Sequence, residues 1–222
     1  MFPHFESPLE LLLDYLPRLL VLFACLPVHE FGHAFVADKL GDPTPRRDGR
    51  LTLNPFAHLD LFGSLCLLLG GFGWAKPVIV NPFNLRDRKG NMALVALAGP
   101  VTNLLMCFLF AGLAKVAAMF LTASWGLYVF FILYMIARIN LSLAIFNLIP
   151  VPPLDGSKIL YFFLPNRAAY WMQEHEQIFS IAFLVLLVLG NTAIMPYGIG
   201  DLLGLIIDPI WNGIKTLFGL PI

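Results

Sequence analysis

The chain has 222 residues, 59% of them hydrophobic and 13% charged, and its formal net charge is zero. Mean hydropathy is +0.79, well above that of a water-soluble domain, in which apolar residues make up about half of the chain. This balance excludes nucleic acid as a partner, since no basic excess exists to neutralise phosphates, and points to an α-helical integral membrane protein in contact with a lipid bilayer.

Residues 1–14 carry Glu6, Glu10 and Asp14, not the basic flank of a cleaved leader. A spanning helix needs about 20 apolar residues. Residues 11–37 supply the first, interrupted by Asp14, Arg18 and the stretch LPVHEFGHAF. Residues 59–74 are apolar but short and glycine-rich. Residues 92–122 and 127–149 supply two more spans, the latter containing Arg138 and Asn140, whose partners the sequence leaves open. Residues 178–193 form a shorter C-terminal helix. Residues 202–220 form another, and Asp208, Pro209 and Lys215 leave it open whether that helix spans or lies in the interface. One polytopic domain over 1–222 is expected. Trp74, Trp125, Trp171 and Trp211 fall near span ends, as interfacial aromatics do. Cys25, Cys66 and Cys107 have no paired spacing and read as small buried hydrophobes.

Charge placement sets the expected topology. Lys39, Arg46, Arg47 and Arg50 precede the short 59–74 stretch, and Lys76, Arg86, Arg88 and Lys89 follow it. Short basic loops favour the cytoplasmic side, so both flanks read as cytoplasmic and 59–74 as re-entrant. The first helix then runs inward, with its histidines near the cytoplasmic end. LTLNPF at 51–56 and VIVNPF at 78–83 echo one another. Each has three β-prone residues stopped by Asn-Pro, so 51–83 reads either as a small β-hairpin around the re-entrant stretch or as a loop in which the likeness is accidental.

Ionisable groups at the centre of a membrane helix cost about 2.5–3.5 kcal/mol each on insertion scales. His29, Glu30 and His33 place three within five residues. Two histidines four apart project from one helix face and can reach one metal ion. Glu30 is rotated about 100° from His29, beside a metal-bound water rather than on the metal. Gly32 makes room for a substrate or a neighbouring backbone. The H-E-x-x-H pattern is a zinc-hydrolase signature, and a catalytic zinc commonly takes a third protein ligand. Asp155 in NLIPVPPLDGSKIL is one candidate, at the same membrane level; His58 and Asp60 are the rivals, and spacing does not choose between them.

HEFGH (29–33), AGPVTN (98–103) and NLIPVPPLDG (147–156), with GRLTLNP (49–55) and FGWAKPV (72–78), resemble the site-2 protease family of intramembrane zinc metalloproteases, in its small bacterial form. The resemblance implies one zinc ion per chain held by His29, His33 and Asp155, with Glu30 as general base. It implies that Asn147 aids substrate or oxyanion binding, and it aligns Asn103 with the asparagine of the family's GPxxN helix, which reads either as a second group for substrate or oxyanion or as an interhelical hydrogen-bonding residue. It also implies a three-helix core with a membrane-associated β element after the first helix, in the cell membrane, with the active site near its cytoplasmic side. The substrates implied are transmembrane proteins. No PDZ or CBS module is visible, which leaves substrate selection to the membrane core, to a regulatory membrane partner or to a homo-oligomer. Two other readings compete: a catalytically silent scaffold or chaperone of the same fold, and a metal-transport protein.

Overall fold

The computed structural model describes residues 8–70, 73–120, 124–190 and 199–220. Helix α1 (Pro8–Leu20) runs through one π-helical turn (Val21–Cys25) into α2 (Leu26–Lys39). Pro27, in the first turn of α2, has no N–H to give the preceding turn. In the wider turn the Leu26 N–H bonds Val21 O, five residues back. Such π turns inside α-helices are frequent at functional sites, and this one immediately precedes His29. A one-turn helix, α3 (Thr44–Arg47), then α4 (Leu61–Gly70), lead to the long helices α5 (Arg88–Phe120) and α6 (Ser124–Asn147). Four more follow: α7 (Asp155–Phe163), α8 (Asn166–Glu174), α9 (Glu176–Gly190) and α10 (Ile199–Phe218).

Among the described residues three helical stretches are long and apolar enough to cross a membrane: Leu13–Lys39, Arg88–Phe120 and Trp125–Asn147. They coincide with the three core spans expected from hydropathy. Helix α5 lies between α2 and α6, and small residues let it approach both. Ala96, Ala111, Ala114 and Ala117 are buried along it, the usual composition where membrane helices pack without a hydrophobic driving force. A Cβ on Gly32 would lie 2.8 Å from Thr102 Cγ2 and 3.2 Å from the Ala98 carbonyl. The neighbour admitted by that glycine is therefore the α5 backbone.

Two apolar clusters hold the bundle. One joins α5, α6 and α10 through Cys107, Ala111, Leu141, Ile207 and Trp211. The other joins Val21, Leu22 and Cys25 to Leu67 and Ile136. Trp211 is thus a core residue rather than an interfacial one, and its Nε1 donates to Tyr134 Oη at 2.8 Å. Helix α10 is continuous through Pro209 and buries Ile207, Trp211 and Ile214. Arg138 pairs with Asp208 across α6 and α10 at 3.0 Å. Of the cysteines, Cys66 is exposed on α4, unlike the other two.

The 51–83 stretch departs from the expected hairpin. Among the described residues it contains no strand, only one antiparallel bridge, Leu59 to Ala75, with the Lys76 N–H donating to His58 O at 2.7 Å. The bridge brings the entry and exit of the segment together around α4. The echo between the two NPF triplets is real but encodes turns. The side-chain oxygen of Asn54 accepts from the Phe56 N–H at 3.1 Å, and that of Asn81 from the Phe83 N–H at 3.0 Å. Each starts a short 3₁₀ turn. Prolines 55, 77 and 82 remove the N–H groups a longer ladder would need.

Candidate metal centre

Helix α2 carries His29, Glu30 and His33, all buried. Asp155 is the first residue of α7, reached through an extended Leu154. Its carboxylate sits at a helix N-terminus, where negative charge is favoured. The two helices are held together by glycines that exclude a side chain. A Cβ on Gly99 of α5 would fall on Nε2 of His33 and Cε1 of His29. A Cβ on Gly156 would fall on the carbonyls of Leu148 and Ile149 at the end of α6. The glycines of the AGP and LDG triplets thus set how deeply the ligand-bearing helices pack, a role that the sequence motifs mark but do not explain.

Three donor atoms converge. Nε2 of His29 and Nε2 of His33 are 3.1 Å apart, and Oδ2 of Asp155 lies 3.3 Å from the first and 3.2 Å from the second. Donors around a tetrahedral zinc with bonds of about 2.0–2.1 Å are separated by about 3.3 Å. The triangle therefore fits the face of a zinc tetrahedron, leaving a fourth position free. The donor chemistry agrees. His33 Nδ1–H donates to the Val95 carbonyl at 2.7 Å, which leaves its Nε2 lone pair directed at the other two donors. Burial pushes the Asp155 carboxyl up, and the neighbouring His33 and His29 imidazoles more than reverse this, holding it well below the usual carboxylate range. Among the described residues this is the one group of three or more metal-ligating side chains gathered within reach of a single ion.

The structure separates the candidates that spacing left open. Asp155 joins the histidines. His58 is buried elsewhere, with Nε2 against the Thr52 carbonyl at 2.8 Å, and Asp60 caps α4 by accepting from the Gly63 N–H at 2.8 Å. The triangle opens onto a cavity of about 770 Å³ lined by α2, α5, α6, α7, α9 and α10. Glu30 and Asn147 line it; Asn103 does not, and is wholly buried. Asn147 Nδ2 bonds back to the Leu143 carbonyl at 2.9 Å. Two participants lie inside the quoted motifs, but the sequence assigned them no role in the site. The Val78 N–H donates to Glu30 Oε2 at 3.2 Å, so residues 73–80 form one wall of the site. Lys158 also lines the cavity, its Nζ 4.0 Å from Asp155 Oδ1.

Comparison with known proteins supplies the family. The model of Peptidase family M50 matches residues 111–190, a stretch that includes Asn147 and Asp155. YwhC of Bacillus subtilis is 41% identical over 192 residues, covering 83% of this chain and 87% of its own. The chain belongs to peptidase family M50. Rip2 of Mycobacterium tuberculosis is a further relative, 32% identical over 173 residues, which cover 75% of this chain and 64% of Rip2. Both relatives are named as putative zinc metalloproteases. No solved structure matches the chain significantly. Within this M50 chain the histidine pair and Asp155 lie on two separate helices, α2 and α7, joined in space across α5.

Proposed function

We propose that this chain is an intramembrane zinc endopeptidase that hydrolyses peptide bonds of transmembrane proteins. His29, His33 and Asp155 hold the metal and Glu30 is the general base. The observation that carries this reading is the triangle of 3.1, 3.3 and 3.2 Å between the three donors, with Glu30 on the wall of the same cavity. Zinc, when bound, supplies a Lewis acid that polarises a carbonyl and brings the pKa of water to about 7. Glu30 takes the proton of the attacking water and passes it to the leaving amide nitrogen. Its carboxylate is held in place by the Val78 N–H. Asn147, on the cavity wall, offers an amide donor to the developing oxyanion.

A peptide must be extended before its carbonyl can be attacked. The 76–80 backbone runs beside Glu30, and a substrate laid along it by strand addition would present its scissile bond to that carboxylate. Apolar walls contributed by Leu143, Phe146, Phe183 and Leu184 suit the side chains of a membrane-derived segment. The basic residues Arg46, Arg47, Arg86, Arg88 and Lys89 lie between α2 and the first turn of α5, which favours placing this end of the bundle, and the site, at the cytoplasmic face of the cell membrane. A single cysteine at Arg47 should react with an impermeant thiol reagent only from the cytoplasmic side; labelling from outside would reverse the orientation.

Metal analysis tests the ligand set. Asp155→Asn should lose zinc during purification, whereas Asp60→Asn should retain one ion per chain. Retention by Asp155→Asn and loss by Asp60→Asn would move the third ligand to the other loop.

A further inference from the structure

His33 has its outer partner in the Val95 carbonyl; His29 has none among the described residues, its Nδ1 being buried without a hydrogen bond. A metal-bound imidazole almost always donates its second N–H, and that partner fixes its tautomer and orientation. A buried donor left unmatched costs about 1–3 kcal/mol. Two asparagines inside the bundle carry the complementary deficit. Asn103 of α5 is 0% exposed, and neither its Oδ1 nor its Nδ2 has a partner among the described residues. Asn140 of α6 is also 0% exposed; its Nδ2 donates to Ile136 O at 2.9 Å, and its Oδ1 is unmatched.

These orphans occupy one layer of the bundle. Gly99 abuts the His29 imidazole, and Asn103 lies one helical turn further along the same face of α5. Cys25, the last residue of the π turn, precedes His29 by one turn, and its thiol lies against the Asn140 side chain. Cys107, one turn beyond Asn103, shares a core cluster with Leu141, the neighbour of Asn140. The deficits match in kind as well as place. His29 needs one acceptor, Asn103 offers one acceptor and a donor group, and Asn140 needs one donor. The remaining unmatched groups, on His58, Ser64 and Tyr161, belong to other elements.

We infer that Asn103 is the positioning residue for His29: its Oδ1 accepts the Nδ1–H of His29 through one buried water, and its Nδ2 donates onward in the same way to Asn140. The relay orients the His29 imidazole so that its Nε2 lone pair faces Asp155. It makes Asn103 part of the metal site without contact with substrate, consistent with its absence from the cavity wall. The relay rests on the zinc-site reading above.

The test is zinc affinity of the full chain in detergent, read by competition with a chromophoric chelator, alongside thermal unfolding of the metal-free protein. Asn103→Leu should weaken zinc about 10–100-fold, the range for loss of such a partner. Asn103→Asp, which keeps an acceptor, should bind at least as tightly as wild type, and the Leu substitution should add little in a His29→Ala background. Equal affinity of wild type and Asn103→Leu would overturn the relay while leaving the zinc site standing. Where the Leu variant fails to fold, the Asp variant decides, since weaker binding than wild type contradicts an acceptor role. No zinc in the wild-type protein would overturn the site and the relay together.

Discussion

At the scale of single residues, the site is built as much by what glycine omits as by what histidine supplies. Gly99 lets two imidazoles lie on the α5 backbone, and its Cβ has no space that is not already ring. Overpacking of this kind costs about 1–3 kcal/mol. Gly99→Ala should therefore weaken zinc binding about tenfold or more, since about 1.4 kcal/mol is a factor of ten. Equilibrium chelator competition measures this, and undiminished affinity would show that the rings can move aside. The residue scale is also where the sequence was most legible. The four-residue spacing of His29 and His33 places both rings on one face of any helix, so the pair could be named without a fold. Asp155 could not be chosen on the same ground. Its approach depends on α7 starting beneath the end of α6, a tertiary fact that local spacing does not carry, and His58 and Asp60 were nearer in the chain. For Asn103 the motif left substrate binding and interhelical hydrogen bonding open; its burial at 0% exposure directs it away from substrate.

At the scale of elements, the wall at 73–80 is tethered just beyond its C-terminal end by one loop residue. Asp42, just beyond α2, accepts from the Asn81 N–H at 2.7 Å, from Asn84 Nδ2 at 2.7 Å and from Thr44 Oγ1 at 2.6 Å. Burial pushes its carboxyl up, but the hydrogen bonds from Asn84, Thr44 and the Asn81 and Thr44 amides prevail and hold it below its ordinary value. A lowered folded-state pKa means that the unfolded chain binds the proton more tightly. The stabilisation is therefore complete above the unfolded value of about 3.9 and is lost as pH falls through the lower, folded value. Asp42→Asn should remove that component of acid sensitivity and lower stability at neutral pH by about 1–3 kcal/mol. It should also reduce cleavage while zinc is retained, because the wall that orients Glu30 is loosened. Unfolding curves from pH 3 to 7 check the first expectation and metal content with cleavage rate the second; wild-type behaviour in both would show the tether to be dispensable. Here the sequence misled in an instructive way. Val78, Ile79 and Val80 carry strand propensity, yet Pro77 and Pro82 bracket them and the asparagine side chains capture the next amides. Local turn chemistry outcompeted the ladder, leaving a single bridge.

At the scale of the whole molecule, three long apolar helices bring two distant pieces of chain to one point. Hydropathy located those helices to within a few residues, because burial in lipid demands a length that composition alone reveals. It did not foresee that Trp211 packs inside, since an amphipathic C-terminal helix looks the same whether its apolar face meets lipid or α6. The bundle places the donor triangle at the inner end of a largely apolar cavity, where hydrolysis needs both a bound metal and a base held ready. The central claim is that Glu30 moves the proton while other residues hold the metal. The direct measurement reconstitutes wild-type and Glu30→Gln protein into vesicles with a single-span substrate, and reads zinc content and cleavage together. The account predicts one zinc per chain in both proteins, with cleavage by the wild type and a loss of at least a hundredfold in the variant, the lower part of the usual range for a general base. Cleavage by Glu30→Gln at the wild-type rate, with zinc bound, would contradict it.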